Sequence, residues 1–193
     1  MRRKGILVIV VVLLVAVVVL GYIYTIHGNR TYVTAIDTTQ DSHFHILFHR
    51  HGGVTFRQHS ERVRVYLAHY NQEELVLHEL VASIETVGAY TFNGSFIWGI
   101  TTERGQATEL RTKLVRNGAM SLNYTDLSNL GFDITTASTA GFSALTSPLL
   151  SQEGRYVLHL WQSGLSFRTD GNVFYPEQLR NSEHTVILYL VFE

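Results

Sequence analysis

The sequence contains no cysteine and only two prolines, and its formal net charge is −1. Without cysteine, neither a disulfide framework nor a cysteine-ligated zinc site can form. Outward-facing eukaryotic domains often carry disulfides, so their absence favours a microbial or viral protein, or one stabilised by oligomerisation. The scarcity of proline and the many Thr, Tyr, Phe and Val residues favour strands over helices.

The chain also lacks the features of nucleic-acid-binding proteins and of enzymes. Three of its 15 basic residues lie at positions 2–4, which leaves 12 basic against 16 acidic residues in the rest of the chain. That balance provides no basic footprint for nucleic acid. No serine lies in a nucleophile elbow and no glycine-rich loop suits a phosphate. We therefore predict a protein that is not an enzyme and that needs no cofactor.

One long hydrophobic run is present near the N-terminus, where no charged residue occurs between Lys4 and Arg30. Crossing a bilayer core takes about 20 helical residues, so residues 5–26 are long enough to span it. Lipid offers the backbone no hydrogen-bond partners, so the run should be helical despite its many β-branched residues. The residues that mark this predicted membrane-lipid anchor are Gly5, Ile6, Leu13, Leu20, Tyr22, Tyr24 and Ile26.

The basic N-terminus predicts how the anchor is oriented. Residues 2–4 should stay in the cytoplasm, which places the chain after about residue 27 outside, at a cell surface or on a virion envelope. Tyr22 and Tyr24 fall where an interfacial aromatic belt would lie. A cleaved signal peptide is the alternative, with residues 19–21 as a weak cleavage site. The length of the run and the lack of an A-x-A site favour an uncleaved, single-pass anchor.

The rest of the chain is predicted to form a short stalk (27–42), with room for a first strand, and one head (43–193). Alternating polar and apolar residues, the period-2 pattern of half-buried strands, recur about every ten residues in the head. The predicted strands lie at 44–48, 54–56, 62–67, 73–84, 87–98, 109–115, 121–124, 132–136, 142–146, 155–161 and 184–192. We therefore predict an all-β fold, a jelly-roll β-sandwich of about ten strands, preceded by one transmembrane helix.

Local signals refine this prediction at several points. Glycine-containing pairs at 52–53, 117–118 and 170–171 predict tight turns between strands. Residues 73–84 are rich in Leu and Glu and also suit a short helix, although the strand pattern that follows favours a strand. Residues 184–192 are almost continuously apolar, as is typical of a strand buried on both faces.

The order of several motifs resembles the jelly-roll heads of the tumour necrosis factor and complement-q families. Gly88–Phe92 is similar to their G-x-Y-x-F strand, and Leu114–Gly118 is similar to their Asn-Gly hairpin. Leu150–Leu160 and Thr185–Leu190 are similar to their last strands. The resemblance spans residues 42–193 and includes Trp98, which follows the first motif in the same strand.

The resemblance implies a ten-stranded jelly roll on a type II membrane anchor, a homotrimer, and binding in place of catalysis. The sequence departs from the family pattern at Arg155, where aspartate is usual, and at Val186 and Leu188, where phenylalanine and glycine are usual. The family positions concerned lie near the trimer core, so the departures bear on the trimer more than on the fold. The aromatic residues expected in a trimer interface or in the core are Tyr90, Phe92, Trp98 and Tyr189.

Histidine is unusually frequent, with ten residues. His43, His45, His49 and His51 are separated by even steps, so they share one face of an extended strand beside Leu47. Histidines at i and i+2 can ligate zinc or nickel, and they titrate near pH 6.5, which makes this face a weak candidate for a metal or acid-sensing site. No carboxylate can be named beside them, which favours an ordinary solvent-facing surface and no bound metal.

Three Asn-x-Ser/Thr triplets begin at Asn29, Asn93 and Asn123, and they would be glycosylation sites in a eukaryotic secretory pathway. We interpret the chain as a single-pass surface protein whose head binds a receptor, glycan or partner protein, with avidity from several joined heads. A structural protein of a virion envelope or membrane-containing capsid is the alternative, favoured by the absence of cysteine and the short stalk. A histidine-dependent metal- or pH-responsive domain is the third hypothesis.

Overall fold

The chain falls into two compact units, Met1–Thr31 and Tyr32–Glu193. The computed structural model describes residues 12–22, 31–36, 47–116, 119–141, 149–151, 155–163, 173–174 and 182–193. In the first unit, residues 12–22 are helical, and their aliphatic side chains are exposed, with Leu13 at 60% and Leu20 at 65%. At about 1.5 Å per residue this helix is about 17 Å long. Within the described stretches, no helix has both the length and the apolar character needed to cross a membrane.

The described part of the second unit is almost entirely β-structure, which confirms the predicted all-β class. A short 3-10 turn, Ser128–Leu130, follows the fifth strand. The strands are β1 (Tyr32–Ala35), β2 (Arg50–Asn71), β3 (Glu74–Glu103), β4 (Gln106–Arg116), β5 (Ala119–Asp126), β6 (Ser138–Gly141), β7 (Leu149–Ser151), β8 (Tyr156–Gln162), β9 (Val173–Phe174) and β10 (His184–Phe192).

The strands belong to one ten-stranded sheet with the order β5-β4-β3-β2-β10-β8-β7-β9. β1 pairs with β2, and β6 pairs with β8. Every pairing is antiparallel except that of β7 with β9. The predicted strands that coincide with strands of the structure are 54–56, 62–67, 73–84, 87–98, 109–115, 121–124, 155–161 and 184–192.

β2 and β3 are long enough to contribute to two regions of the sheet. Residues 50–60 of β2 pair with the second part of β3, and residues 62–71 pair with its first part, with a register shift between Ser60 and Arg62. The first region, which we call half-sheet one, also contains β1, β4 and β5. The second region, half-sheet two, also contains β10, β8, β6, β7 and β9.

The two half-sheets contact each other through a single hydrophobic core. The rings of Trp98 and Trp161 lie 5.5 Å apart, edge to face, and join β3 of half-sheet one to β8 of half-sheet two. The Thr112 hydroxyl of β4 donates a hydrogen bond of 3.3 Å to the carbonyl of Val81 in half-sheet two. The head is therefore β-sandwich-like, whereas the strand order does not establish the predicted jelly-roll connectivity.

β10 is buried on both faces, as its nearly continuous apolar sequence predicts. Val186, Leu188 and Leu190 lie in the main core, and Ile187 and Tyr189 lie in a second apolar cluster on the opposite face. Burying a side chain of this kind contributes about 1.5–3 kcal/mol. The side chains of β10 therefore stabilise both faces of half-sheet two.

The turn predicted at Gly52-Gly53 is wrong, because both glycines lie inside β2. A Cβ atom at Gly52 would lie 2.9 Å from Cζ2 of Trp98, and one at Gly53 would lie 3.1 Å from the carbonyl oxygen of Phe96. These glycines let β3 and the indole of Trp98 approach β2 closely. A glycine pair that permits close approach looks the same in the local sequence as a glycine pair in a turn.

The strand predicted at 132–136 is also wrong, because these residues form turns. The Asp133 carboxylate accepts hydrogen bonds from the backbone N–H of Thr135, at 2.9 Å, and from its hydroxyl, at 2.7 Å. Thr136 donates a further bond of 2.9 Å to the Asp133 carbonyl. An aspartate that binds the backbone two residues ahead favours a turn over a strand.

Several predicted features lie wholly or partly outside the described residues. They include the predicted turns at 117–118 and 170–171 and the predicted strand at 142–146. On either side of residues 117–118, Arg116 of β4 pairs with Ala119 of β5. The predicted strand at 44–48 is described only at Leu47 and Phe48, which precede the start of β2.

Candidate functional site

A groove of about 370 Å³ crosses the outer surface of β3, β4 and β5 in half-sheet one. Its lining is mostly apolar, and it also includes two cationic side chains together with polar and aromatic residues. The lining residues are Phe48, Ile97, Trp98, Gly99, Arg111, Thr112, Lys113, Leu122, Asn123 and Tyr124.

The absence of a side chain at Gly99 shapes one wall of the groove. A Cβ atom there would collide with the ring of Phe48, so only glycine lets this ring lie directly on β3. The backbone N–H of His49 donates a hydrogen bond of 2.9 Å to the carbonyl of Ile100, which fixes the segment that carries Phe48. An aromatic wall is therefore held in place by backbone contacts.

The opposite wall combines an aromatic ring with a cation. The guanidinium of Arg111 lies 5.5 Å from the ring centroid of Tyr124, which is its cross-strand neighbour. Its Nε atom donates to the Glu109 carboxylate at 2.8 Å. Lys113, two residues further along β4, has Leu122 of β5 as its cross-strand neighbour. Such a wall suits a ligand that presents apolar groups beside a carboxylate.

β5 carries a stripe of exposed apolar side chains at alternate positions. Met120 is 56% exposed, Leu122 is 53% exposed and Tyr124 is 64% exposed. We call these three residues the β5 stripe. The stripe borders the groove and lies on the outermost strand of half-sheet one. Adjacent exposed apolar side chains of this kind mark contact surfaces more often than single exposed apolar residues do.

The aromatic residues singled out in the sequence lie elsewhere. Phe92, Trp98 and Tyr189 are each buried, and the side chain of Tyr90 lies outside the described residues. Trp98 contacts the rings of His159, at 4.7 Å, and of Trp161. The structure therefore places the three described residues inside the head, although Trp98 also lines the groove.

Two members of the predicted histidine face are described. His49 is exposed, and His51 is half-buried beside a small cavity of about 60 Å³ that His159 also lines. His43 and His45 lie outside the described residues. Among the residues that are described, no three His, Asp or Glu side chains converge on a point where a metal ion could bind.

A different histidine pair is brought together by the fold. Nε2 of His69 lies 3.2 Å from Nδ1 of His184, and the ring of Phe132 stacks on His184 at 5.2 Å. Burial lowers the pKa of His69, and the neighbouring His184 lowers it further. These two residues lie 115 positions apart in the chain, so no local pattern indicates the pair.

His159 is a second histidine that sequence reasoning missed. Its Nε2 atom is inaccessible to solvent and has no hydrogen-bond partner among the described residues. Burial, with a smaller effect of the positive charge of Arg50, lowers its pKa to about 3. Its ring lies 4.4 Å from that of Trp161, two residues further along β8. The alternating apolar pattern of β8 does place His159 on the same face as Trp161, which is the one sequence signal for this position.

The three predicted glycosylation positions differ in their surroundings. Asn93 is exposed on β3, and Asn123 is half-buried at the groove, where its amide donates a 2.8 Å hydrogen bond to the Ser121 hydroxyl. Asn29 lies outside the described residues.

Comparisons of this chain with protein-family models, with curated proteins and with solved structures found no match. The resemblance to tumour necrosis factor and complement-q heads therefore stays a prediction from motif order.

Proposed function

We propose that this chain is a membrane-tethered binding protein whose head holds an acidic, apolar segment of a partner protein in the groove. The observation that carries the proposal is a mostly apolar groove that also contains the cationic side chains of Arg111 and Lys113. Burial of apolar groups supplies affinity in such a site, whereas exposed charges supply orientation and a faster encounter.

The charge distribution supports a partner that carries carboxylates. Lys113 is the only lysine after residue 4, and it has no ion-pair partner among the described residues. Arg111 is paired with Glu109, but half of its side chain is exposed. A carboxylate that enters the groove could therefore pair with Lys113 without displacing an existing ion pair.

The anchor part of the proposal rests on the sequence and on the exposed helix. Residues 12–22 present only aliphatic side chains, glycine and one tyrosine, and the large apolar ones are about half exposed or more. So much exposed apolar surface on a helix is unfavourable in water and favourable in lipid. A tether of this kind would concentrate several heads on one surface, so that weak individual sites act with avidity.

Placing arginine at both Leu13 and Val17 should release the full-length chain from membranes. Each arginine near the centre of a spanning helix costs about 3 kcal/mol, so the pair should cost about 6 kcal/mol. Carbonate washing of membranes, followed by detection of the unprocessed chain, measures the effect. Arginine at Leu75, an exposed position in the head, is the matched control and should leave the chain in the membrane pellet. Wild-type chain in the aqueous fraction would contradict the anchor.

Reversing the two groove charges with Arg111→Glu and Lys113→Glu should weaken binding of acidic peptides at least tenfold. The probe is a displayed library of random peptides, selected on the full chain in lipid nanodiscs. The enriched peptides should carry Asp or Glu beside aliphatic or aromatic residues. A tenfold loss corresponds to about 1.4 kcal/mol, which is within the range of one partly desolvated charge contact.

The control for this experiment is Arg104→Glu, which makes the same kind of charge change at an exposed turn between β3 and β4. It should leave the affinity of the selected peptides unchanged. Equal binding to the groove variant and to wild type would contradict the proposed site. The virion-envelope alternative predicts instead that the chain co-purifies with particles, and the homotrimer implied by the resemblance predicts a mass of three chains.

A further inference from the structure

β5 forms one end of the sheet and pairs only with β4 among the described strands. Its pairing with β4 runs from Arg116 opposite Ala119 to Glu109 opposite Asp126 without any register shift. No charged residue lies between Ala119 and Thr125, and the β5 stripe is exposed along this length. Eight residues of regular strand give a straight edge about 27 Å long. Such an edge is a template on which another strand can pair.

The first part of β3 is a second long edge, and it is built quite differently. β4 pairs only with residues 94–103, so residues 74–85 pair on one side alone within the described chain. Two register shifts interrupt this stretch, and it carries Glu74, Glu79 and Glu85. Bulges and charges are the features by which natural sheets prevent strands from adding to an edge. Of these two edges, the first part of β3 is therefore protected by bulges and charges, whereas nothing in the described part of the chain protects β5 between Ala119 and Thr125.

We propose that β5 pairs with β5 of a second copy of this chain, antiparallel and about a two-fold axis. The axis passes beside Leu122, so that this residue lies opposite its own counterpart. Met120 of each copy then lies opposite Tyr124 of the other. Cross-strand pairs of this kind contribute roughly 0.2–1 kcal/mol each, and a thioether beside an aromatic ring is a favourable contact. A two-fold interface needs such self-complementarity.

The charges near the edge favour the same arrangement. Asp126 is the only charged residue of β5, and in this register it lies beyond the first residue of the opposing strand. Lys113 lies on β4, so the two copies of this residue are separated by three strand spacings, or about 14 Å. This exceeds the screening length of about 8 Å at physiological ionic strength. Neither the two copies of Asp126 nor the two copies of Lys113 therefore oppose association, and an uncharged edge is matched by another uncharged edge.

Pairing through β5 would also join the two grooves. A two-fold axis perpendicular to the sheet keeps the same face of both copies on the same side, so the Tyr124 walls meet near the axis. One strand edge is smaller than a standard protein interface, so we expect a dimer in the micromolar range that concentration in a membrane strengthens. The pairing goes beyond the proposed function and does not depend on what the groove binds.

Sedimentation of the full chain in density-matched detergent, over a range of concentrations, tests the association. The expected result is a reversible shift from the mass of one chain to that of two. Leu122→Lys should weaken this association at least tenfold, because it places two like charges opposite each other across the axis. Leu75→Lys, on the protected edge of β3, is the matched control and should leave the association unchanged.

The absence of cysteine allows a second test that reports the position of contact. Leu122→Cys introduces the only thiol, and residues directly opposite in an antiparallel pair have Cα atoms about 4.5–5.5 Å apart, within the range of a disulfide. Mild oxidation should cross-link this variant, and Leu75→Cys should stay uncross-linked. A single-chain mass at every concentration, equal cross-linking at both positions, or a three-chain mass unaffected by Leu122→Lys would each overturn the pairing. Peptide binding by a chain that stays monomeric would overturn the pairing alone and leave the proposed groove standing.

Discussion

Replacing Trp161 with alanine is expected to lower the free energy of unfolding of the head by about 3–5 kcal/mol. The side chain has no exposed surface and belongs to the main core. It contacts Trp98 on the opposite half-sheet and His159 on its own strand. Its removal leaves a cavity between the two half-sheets, in a position where neither can collapse without moving the other. The indole Nε1 has no hydrogen-bond partner among the described residues, so the loss comes from packing alone.

Urea unfolding of the full chain in a mild detergent, followed by tryptophan and tyrosine spectroscopy, measures this effect. Tyr32→Ala is the matched control, because it removes an aromatic ring that is 42% exposed and lies outside the groove and the β5 stripe. The control should change the free energy of unfolding by less than about 0.5 kcal/mol, as is usual for surface positions. A loss below about 1 kcal/mol for Trp161→Ala would contradict the central position of this indole in the sandwich-like core.

Lowering the pH from 7 to 5 is expected to cost about 2 kcal/mol of stability through His159 alone. Its pKa in the folded chain is about 3, held there by burial and, to a smaller extent, by the charge of Arg50. The unfolded chain takes up a proton near pH 6.5, whereas the folded chain does not do so until about pH 3. The unfolded state therefore binds more protons between these values. Stability is complete above about pH 6.5 and decreases as the pH falls toward 3.

His69 acts in the same direction, because burial and the neighbouring His184 lower its pKa as well. Protonating both rings of this pair would place two charges on nitrogen atoms that are 3.2 Å apart. We therefore expect the total pH dependence to exceed the effect of His159.

The measurement is the free energy of unfolding of wild type and of His159→Phe at pH 7 and at pH 5. Phenylalanine keeps a planar ring in contact with both Trp98 and Trp161 and removes the titrating group. The variant should lose about 2 kcal/mol less than wild type between the two pH values. His59→Phe, at an exposed position, is the control and should keep the wild-type dependence. Equal pH dependence in wild type and in His159→Phe would contradict this prediction, because it would show that His159 takes up a proton as readily in the folded chain as in the unfolded chain.

The sequence indicated the all-β class because polar and apolar residues recur along each strand in a pattern that follows which side chains are buried. A strand with one buried face alternates between polar and apolar residues, as at 62–67 and 109–115. A strand with two buried faces is apolar almost throughout, as in β10. These are local properties, and they follow from the period of the backbone alone. The same alternation placed His159 and Trp161 on one face of β8, although it gave no sign that the face was the core.

The groove could not be read from the sequence in the same way. Its walls come from Phe48, from Gly99 and from the Arg111–Tyr124 pair, which belong to separate parts of the chain. Gly99 follows the predicted strand at 87–98, and its importance depends on a ring more than 50 residues earlier in the chain. Gly52 was misinterpreted for the same reason, since its close neighbour is Trp98.

By itself, the sequence determined that the chain has an uncharged aliphatic segment near its start, a cysteine-free all-β head, and a last strand buried on both faces. Only the tertiary structure decided that β2 and β3 contribute to two packed half-sheets, that His69 meets His184, and that β5 pairs with no described strand other than β4. The physical reason is that strand formation depends on the spacing of neighbouring residues. Side-chain pairing, close approach and edge exposure depend instead on which distant strands lie next to each other.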